Sequence, residues 1–84
     1  MRIYMQTPIM DDKPPRFYQL HLQEDLLAGW SVIREWGSQG AAGRVKRNHY
    51  ESREEAERAM LMIRDAQVNR GYRVMFMRGE GSET

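Results

Sequence analysis

No cysteine occurs anywhere in the chain, so disulfides, thiolate-held metals and a cysteine nucleophile are all excluded. Several small zinc modules and a class of enzymes go with them. Long hydrophobic runs are missing too: nothing reaches the length needed to span a bilayer, and the opening MRIYMQTPIMDDK lacks the continuous apolar stretch of a secretory signal. A cytoplasmic protein with no membrane partner is therefore expected. Charge of neither sign dominates, with 13 Lys and Arg against 12 Asp and Glu, which argues against a general polycationic binder. The length, 84 residues, leaves no room for a second domain. Such a chain buries only roughly 60 to 65 % of its extended surface, so nearly every large apolar side chain must lie inside. An aromatic ring left outside is then informative.

The charge that is present is unevenly placed. Between Arg34 and Arg53 five cations (Arg34, Arg44, Lys46, Arg47 and Arg53) face two anions, Glu35 and Glu51, a local excess of +3. The same stretch, REWGSQGAAGRVKRNHY from Arg34 to Tyr50, gathers glycines and an indole. It reads as a hairpin. A strand ending at Trp36 runs into the turn Gly37-Ser38-Gln39-Gly40, whose outer glycines supply the positive φ angles of a tight reversal, and a basic strand returns. A tryptophan beside cations suits a ligand that combines ring faces with negative charge, and nucleic acid is the commonest of these.

Periodicity supplies a scaffold on either side. RIYMQ (2–6) alternates as a short strand, and the turn formers over 7–15, with Pro14-Pro15, make a loop between this N-terminal arm and a main body over 16–78. RFYQLHLQ (16–23) alternates cleanly, with Tyr18, Leu20 and Leu22 on one side. Glu24 to Gly29 turns the chain into WSVIREW (30–36), where Trp30 and Val32 inward is the preferred assignment and Ile33 inward the alternative. The strand over about 42–50 is too polar to be covered on both faces; Arg44 and Lys46 point one way and Arg47 the other. Ser52-Arg53-Glu54-Glu55 has the spacing of a capping box, Glu55 reaching back to the Ser52 amide, and opens a helix over about 53–70 that Gly71 stops. Ala56, Ala59, Met60, Ile63, Ala66 and Gln67 share the face expected to pack on the sheet. Leu61 and Val68 lie off that stripe, covered by the arm or the last strand, or else forming a weak homodimer contact. YRVMFM (72–77) alternates as the last strand, and 79–84 is a polar tail. The fold class expected is α+β, a small mainly antiparallel sheet with one helix on one face.

Catalytic constellations are not found. His21 and His49 stand at no metal-binding spacing, and Asp11, Asp12, Glu24 and Asp25 read as loop carboxylates, so no enzyme, metal or cofactor is expected. The seven methionines are soft core filling, with Met75 and Met77 beside Leu61 as an adaptable patch. Trp36 is weighed as the edge of the core against a stacking platform for a nucleotide.

On FYQL, WSVIREWGSQG, the basic strand after it and the SREEA helix start, the stretch from Arg16 to about Arg73 resembles the WGR domain, named for a Trp-Gly-Arg motif at a strand end. Trp36, Gly37 and Gly40 match, while Ser38 stands where the name-giving arginine belongs. Such domains occur in poly(ADP-ribose) polymerases and as small bacterial proteins, which this chain resembles in length. The resemblance implies a compact antiparallel sheet with one helix, no catalytic activity, and contact with DNA rather than RNA. In the polymerases the motif tryptophan packs on the sugar of a terminal nucleotide, and the motif arginine helps hold the DNA. Carried over, Trp36 with Gly37 and Ser38 meets a nucleotide, at or near a strand end, and Arg34, Arg44, Lys46 and Arg47 hold phosphate. The alternative is a protein-interaction or homo-oligomerisation module that binds no nucleic acid.

Overall fold

The structure, a computed structural model, describes residues 1–9 and 12–79. Asp11, and the polar tail beyond Gly79, lie outside the described residues. The elements are β1 (Arg2–Gln6), β2 (Arg16–Glu24), β3 (Trp30–Ser38), β4 (Arg44–Tyr50), α1 (Arg53–Asn69) and β5 (Arg73–Arg78). The five strands form one antiparallel sheet in the order β4-β3-β2-β1-β5, and α1 packs over β2, β3 and β4. This is the α+β architecture expected from alternating strands and a single capped helix.

The longest pairing joins β2 to β3, from Arg16↔Ser38 to Glu24↔Trp30. Alternation holds its register, because a slip of one residue would turn Tyr18, Leu20 and Leu22 out to solvent together. All three are buried. With Ile3, Met5 and Val32 they meet Ala56 and Met60 of α1, and Tyr72 closes the end of this core. The inward residue of β3 is thus Val32, while Ile33 is half-buried on the open face. Trp30 packs on the core rim, with the Arg53 guanidinium 5.3 Å from its ring centroid. The N-terminal strand lies inside the sheet, between β2 and β5, and its Ile3 and Met5 are fully buried.

Ser52 caps α1 by accepting the Glu55 amide at 3.1 Å. The Glu55 carboxylate, expected on the Ser52 amide, lies instead 3.4 Å from the Ser52 hydroxyl. At the other end the Gly71 N–H donates to the Val68 carbonyl and the Tyr72 N–H to the Gln67 carbonyl, with Gly71 at φ 107°. This is a Schellman closure, and it delivers Tyr72 into the core. Of the expected helix stripe, Ala56, Met60 and Gln67 are buried, Ala59 and Ile63 half-buried, and Ala66 exposed. A single helix on a twisted sheet touches it through a band narrower than the apolar stripe. Leu61 packs half-buried against the core, and Val68 remains 43 % exposed.

β5 departs from simple alternation. The register shifts between Tyr4↔Phe76 and Met5↔Val74, so Met75 is an extra residue on that strand. All six residues of β5 are exposed, because the helix packs over the strands on the other side of the sheet.

The β2–β3 turn is organised by Asp25. Its Oδ1 accepts the N–H groups of Leu27 and Gly29 at 2.9 and 3.1 Å, and its Oδ2 accepts the Ser31 hydroxyl at 3.0 Å. His49 Nδ1 lies 2.6 Å from the same Oδ2. Enclosure by itself raises the Asp25 pKa, but His49, the two amides and the hydroxyl outweigh it and hold the group at about 2. An acid so depressed stabilises the fold above its ordinary pKa of 3.8 and loses that contribution as pH falls towards 2. Asp25→Asn is therefore expected to melt below wild type at about pH 5 to 7, with the gap closing between about pH 4 and pH 2. Thermal denaturation across that range checks this, and a gap that stays constant refutes it.

Candidate nucleic-acid interface

The opposite end of the sheet carries the basic residues, and strand register decides which of them meet. Met5, Tyr18, Trp36 and Arg44 form one row across four strands, and Ile3, Leu20, Arg34 and Lys46 form the next. Because Ile3, Met5, Tyr18 and Leu20 belong to the core, both rows face the α1 side. There they border a cavity of about 630 Å³ beside the end of the helix. Its walls hold the cations Arg16, Arg34, Lys46 and Arg70, the rings of Tyr18, Trp36 and Tyr72, and the polar side chains of Thr7 and Gln67, with no carboxylate among the described residues.

Trp36 stacks on Tyr18, centroids 5.6 Å apart and planes at 13°, and Tyr72 meets Tyr18 edge-on at 5.8 Å. The indole is therefore both core rim and cavity wall. The Arg34 guanidinium carbon lies 6.0 Å from the indole centroid, and Nη1 donates to the Tyr18 hydroxyl oxygen at 3.4 Å. Its buried Nε has no hydrogen-bond partner among the described residues. Directly across the strand from Arg34 stands Lys46, and like charges in facing positions destabilise a sheet. Among the described residues the carboxylates in contact with a basic side chain are Asp25 with His49, Glu57 with Arg53 and Asp65 with Arg64; none lies against a cation of this cavity. Uncompensated charge of this kind favours an anion from outside.

A second depression, about 430 Å³, shares Arg16 and Trp36 with the first and adds Gly37, Ser38, Ala41, Ala42 and Arg44. Glycine is required beside it. A Cβ on Gly43 would sit 2.9 Å from the Trp36 carbonyl and 3.0 Å from the Phe17 ring, and Gly40 turns the chain at φ 83°.

Arg34, Trp36 and Lys46 thus come together in the first cavity, and Gly37, Ser38 and Arg44 join Trp36 in the second. Arg47 does not join them: alternation along β4 sets it opposite Ile33 on the open face. Arg16, Arg70, Tyr18 and Tyr72 are members that sequence reasoning missed. Arg16 shares parity with Tyr18, which was a usable signal, but its place opposite Ser38 follows only from the register. Arg70 arrives through the closure of α1. Hydroxyls, an indole and guanidinium forks can bind phosphate or carboxylate and pack on a sugar. No helix among the described residues is long and apolar enough to cross a membrane.

Compared with known proteins, residues 1–77 match the family model of the WGR domain. No curated protein matches the chain. The family is one of non-catalytic domains, and in general it points to a nucleic-acid-binding module or one related to poly(ADP-ribose) polymerases.

Proposed function

The chain belongs to the WGR domain family, and from that premise we propose that it is a non-catalytic module that takes the sugar-phosphate chain of DNA, at or near a strand end, into the cavity beside Trp36. The observation that carries this is the set of four cations, with no carboxylate among the described residues, around a stacked indole and phenol. A phosphate between Arg34 and Lys46 would turn a repulsive cross-strand pair into two charge-assisted contacts. The next phosphate falls to Arg44 and Arg16 in the second depression, and the exposed part of the indole packs on the sugar between them. Ser38 carries no charge where the family motif has arginine, but its cross-strand partner is Arg16. Arg16 therefore supplies from β2 the guanidinium that the β3 motif lacks.

Titration with blunt, nicked and single-stranded DNA, and with matched RNA, tests the reading. Trp36→Ala is expected to weaken binding about tenfold or more, since a ring against a nucleotide contributes about 1 to 3 kcal/mol. With three or four phosphates neutralised, log affinity should fall with log salt at a slope of about −2 to −4. Affinity that ignores salt, or that survives Trp36→Ala unchanged, removes the proposal.

A further inference from the structure

At the far end of the β2–β3 hairpin two leucines stand in open solvent, Leu26 at 102 % and Leu27 at 77 % exposure. They are not frayed. Asp25 clamps the turn through Leu27, Gly29, Ser31 and His49, and Ala28 is held at φ 61°, a left-handed conformation that disfavours any residue with a Cβ. Strain and exposed apolar surface kept together in a rigid turn point to a contact surface. The cations Arg2 and Arg78 of this end lie on its β1 and β5 side. Carboxylates border it on the β3, β4 and helix side, where Glu24 precedes the turn, Glu51 follows the strand pair Trp30↔Tyr50, and Glu54 and Glu55 open the helix whose Arg53 lies over Trp30. Carboxylates on this side repel an anionic membrane surface. They call for an apolar receptor with a basic rim.

One such receptor is present on the chain itself. A groove of about 420 Å³ between the loop after β1 and the end of α1 is lined by Pro8, Pro14 and Gly71, and among the described residues its charged lining is Lys13, Arg16 and Arg70. It lies at the start of β2 and the end of the helix, and the leucine turn lies at the end of β2 and the start of the helix. The two are thus separated by about 30 Å, the length of a nine-residue strand, and cannot meet within one copy. We infer that the Leu26-Leu27 turn of one copy docks in this groove on another, leucines against the prolines and carboxylates against the cations. This docking does not depend on nucleic-acid binding, although the two surfaces meet at one point. The groove shares Arg16 and Arg70 with the cavity beside Trp36, so a docked copy would exclude a bound strand if that proposal holds.

Sedimentation and light scattering of the intact chain at low salt, without nucleic acid, test it. The apparent mass is expected to rise above 9.9 kDa as protein approaches millimolar concentration, because a contact with two small anchors has a Kd on the order of 0.1 to 1 mM. Leu26→Ser/Leu27→Ser, and separately Lys13→Glu, should hold the mass at that of the monomer. All three positions are exposed, so circular dichroism and melting should stay at wild-type values and separate lost docking from lost folding. In a mixture of labelled and unlabelled wild type, isotope-filtered NOEs should join the leucine methyls to the Pro8 and Pro14 rings. A wild-type mass that never leaves the monomer value overturns the inference, as does association that the double serine variant retains. Neither result touches the oligonucleotide titration, so the two proposals fail separately.

Discussion

Lys46→Glu is expected to stabilise the free protein while strongly weakening the nucleic-acid binding proposed for it. In the unliganded sheet Lys46 faces Arg34 across β3 and β4, with no carboxylate among the described residues lining the cavity. A glutamate there replaces a repulsive pair with an attractive one. Facing pairs contribute roughly 0.2 to 1 kcal/mol, and solvent screening keeps an exposed one towards the lower half of that range. For a domain of this size the melting temperature should then rise by about 1 to 5 °C. The same carboxylate enters the cavity where a phosphate would lie, so one favourable contact is lost and one unfavourable contact appears. Affinity should fall by about 30-fold or more, since like charges brought together at an interface cost several kcal/mol. Melting and titration on one sample decide the matter. A variant that melts higher yet binds as before would show that ligand does not enter this cavity. Arg47→Glu, one residue along and on the other face, should change affinity by less than about threefold apart from a general charge effect.

The largest loss of stability is expected at Leu20. It is fully buried at the middle of the sheet, between Ile3 on β1 and Arg34 on β3, on the face that receives Met60. Leu20→Ala should cost about 2 to 5 kcal/mol out of a total that, for a chain of this length, is about 4 to 13 kcal/mol. That corresponds to a fall in melting temperature on the order of 10 to 25 °C. Val45→Ala provides the contrast, because Val45 sits in a strand but is 64 % exposed on the face no helix covers. It should cost less than about 1 kcal/mol, mostly through strand preference. If chemical denaturation gave equal losses at the two positions, the helix would not lie on the Leu20 face.

Both predictions rest on features of different legibility. That Leu20 is inside could be read from RFYQLHLQ, because alternation over eight residues leaves one face to bury. That Lys46 and Arg47 diverge could be read from parity in the same way, and Ser52 and Gly71 bounded α1 through spacings of three or four residues. The mutual approach of Arg16, Arg34, Lys46 and Arg70 could not be read so, and neither could the role of Asp25, which looks like any turn acid until His49 is brought 2.6 Å from it.

The chain by itself therefore determined the order of the elements, the inward face of β2, the helix ends and the presence of a basic, tryptophan-bearing hairpin, although β3 runs on through Gly37 to Ser38 and of the two outer turn glycines only Gly40 takes a positive φ. These depend on neighbours a few positions apart, whose geometry is set by the backbone. Only the tertiary structure decided that β1 lies between β2 and β5, that cations from three strands and the end of a helix line one cavity, and that two leucines are held out at the opposite end. Such arrangements depend on strand order and register between distant segments, which local periodicity does not specify.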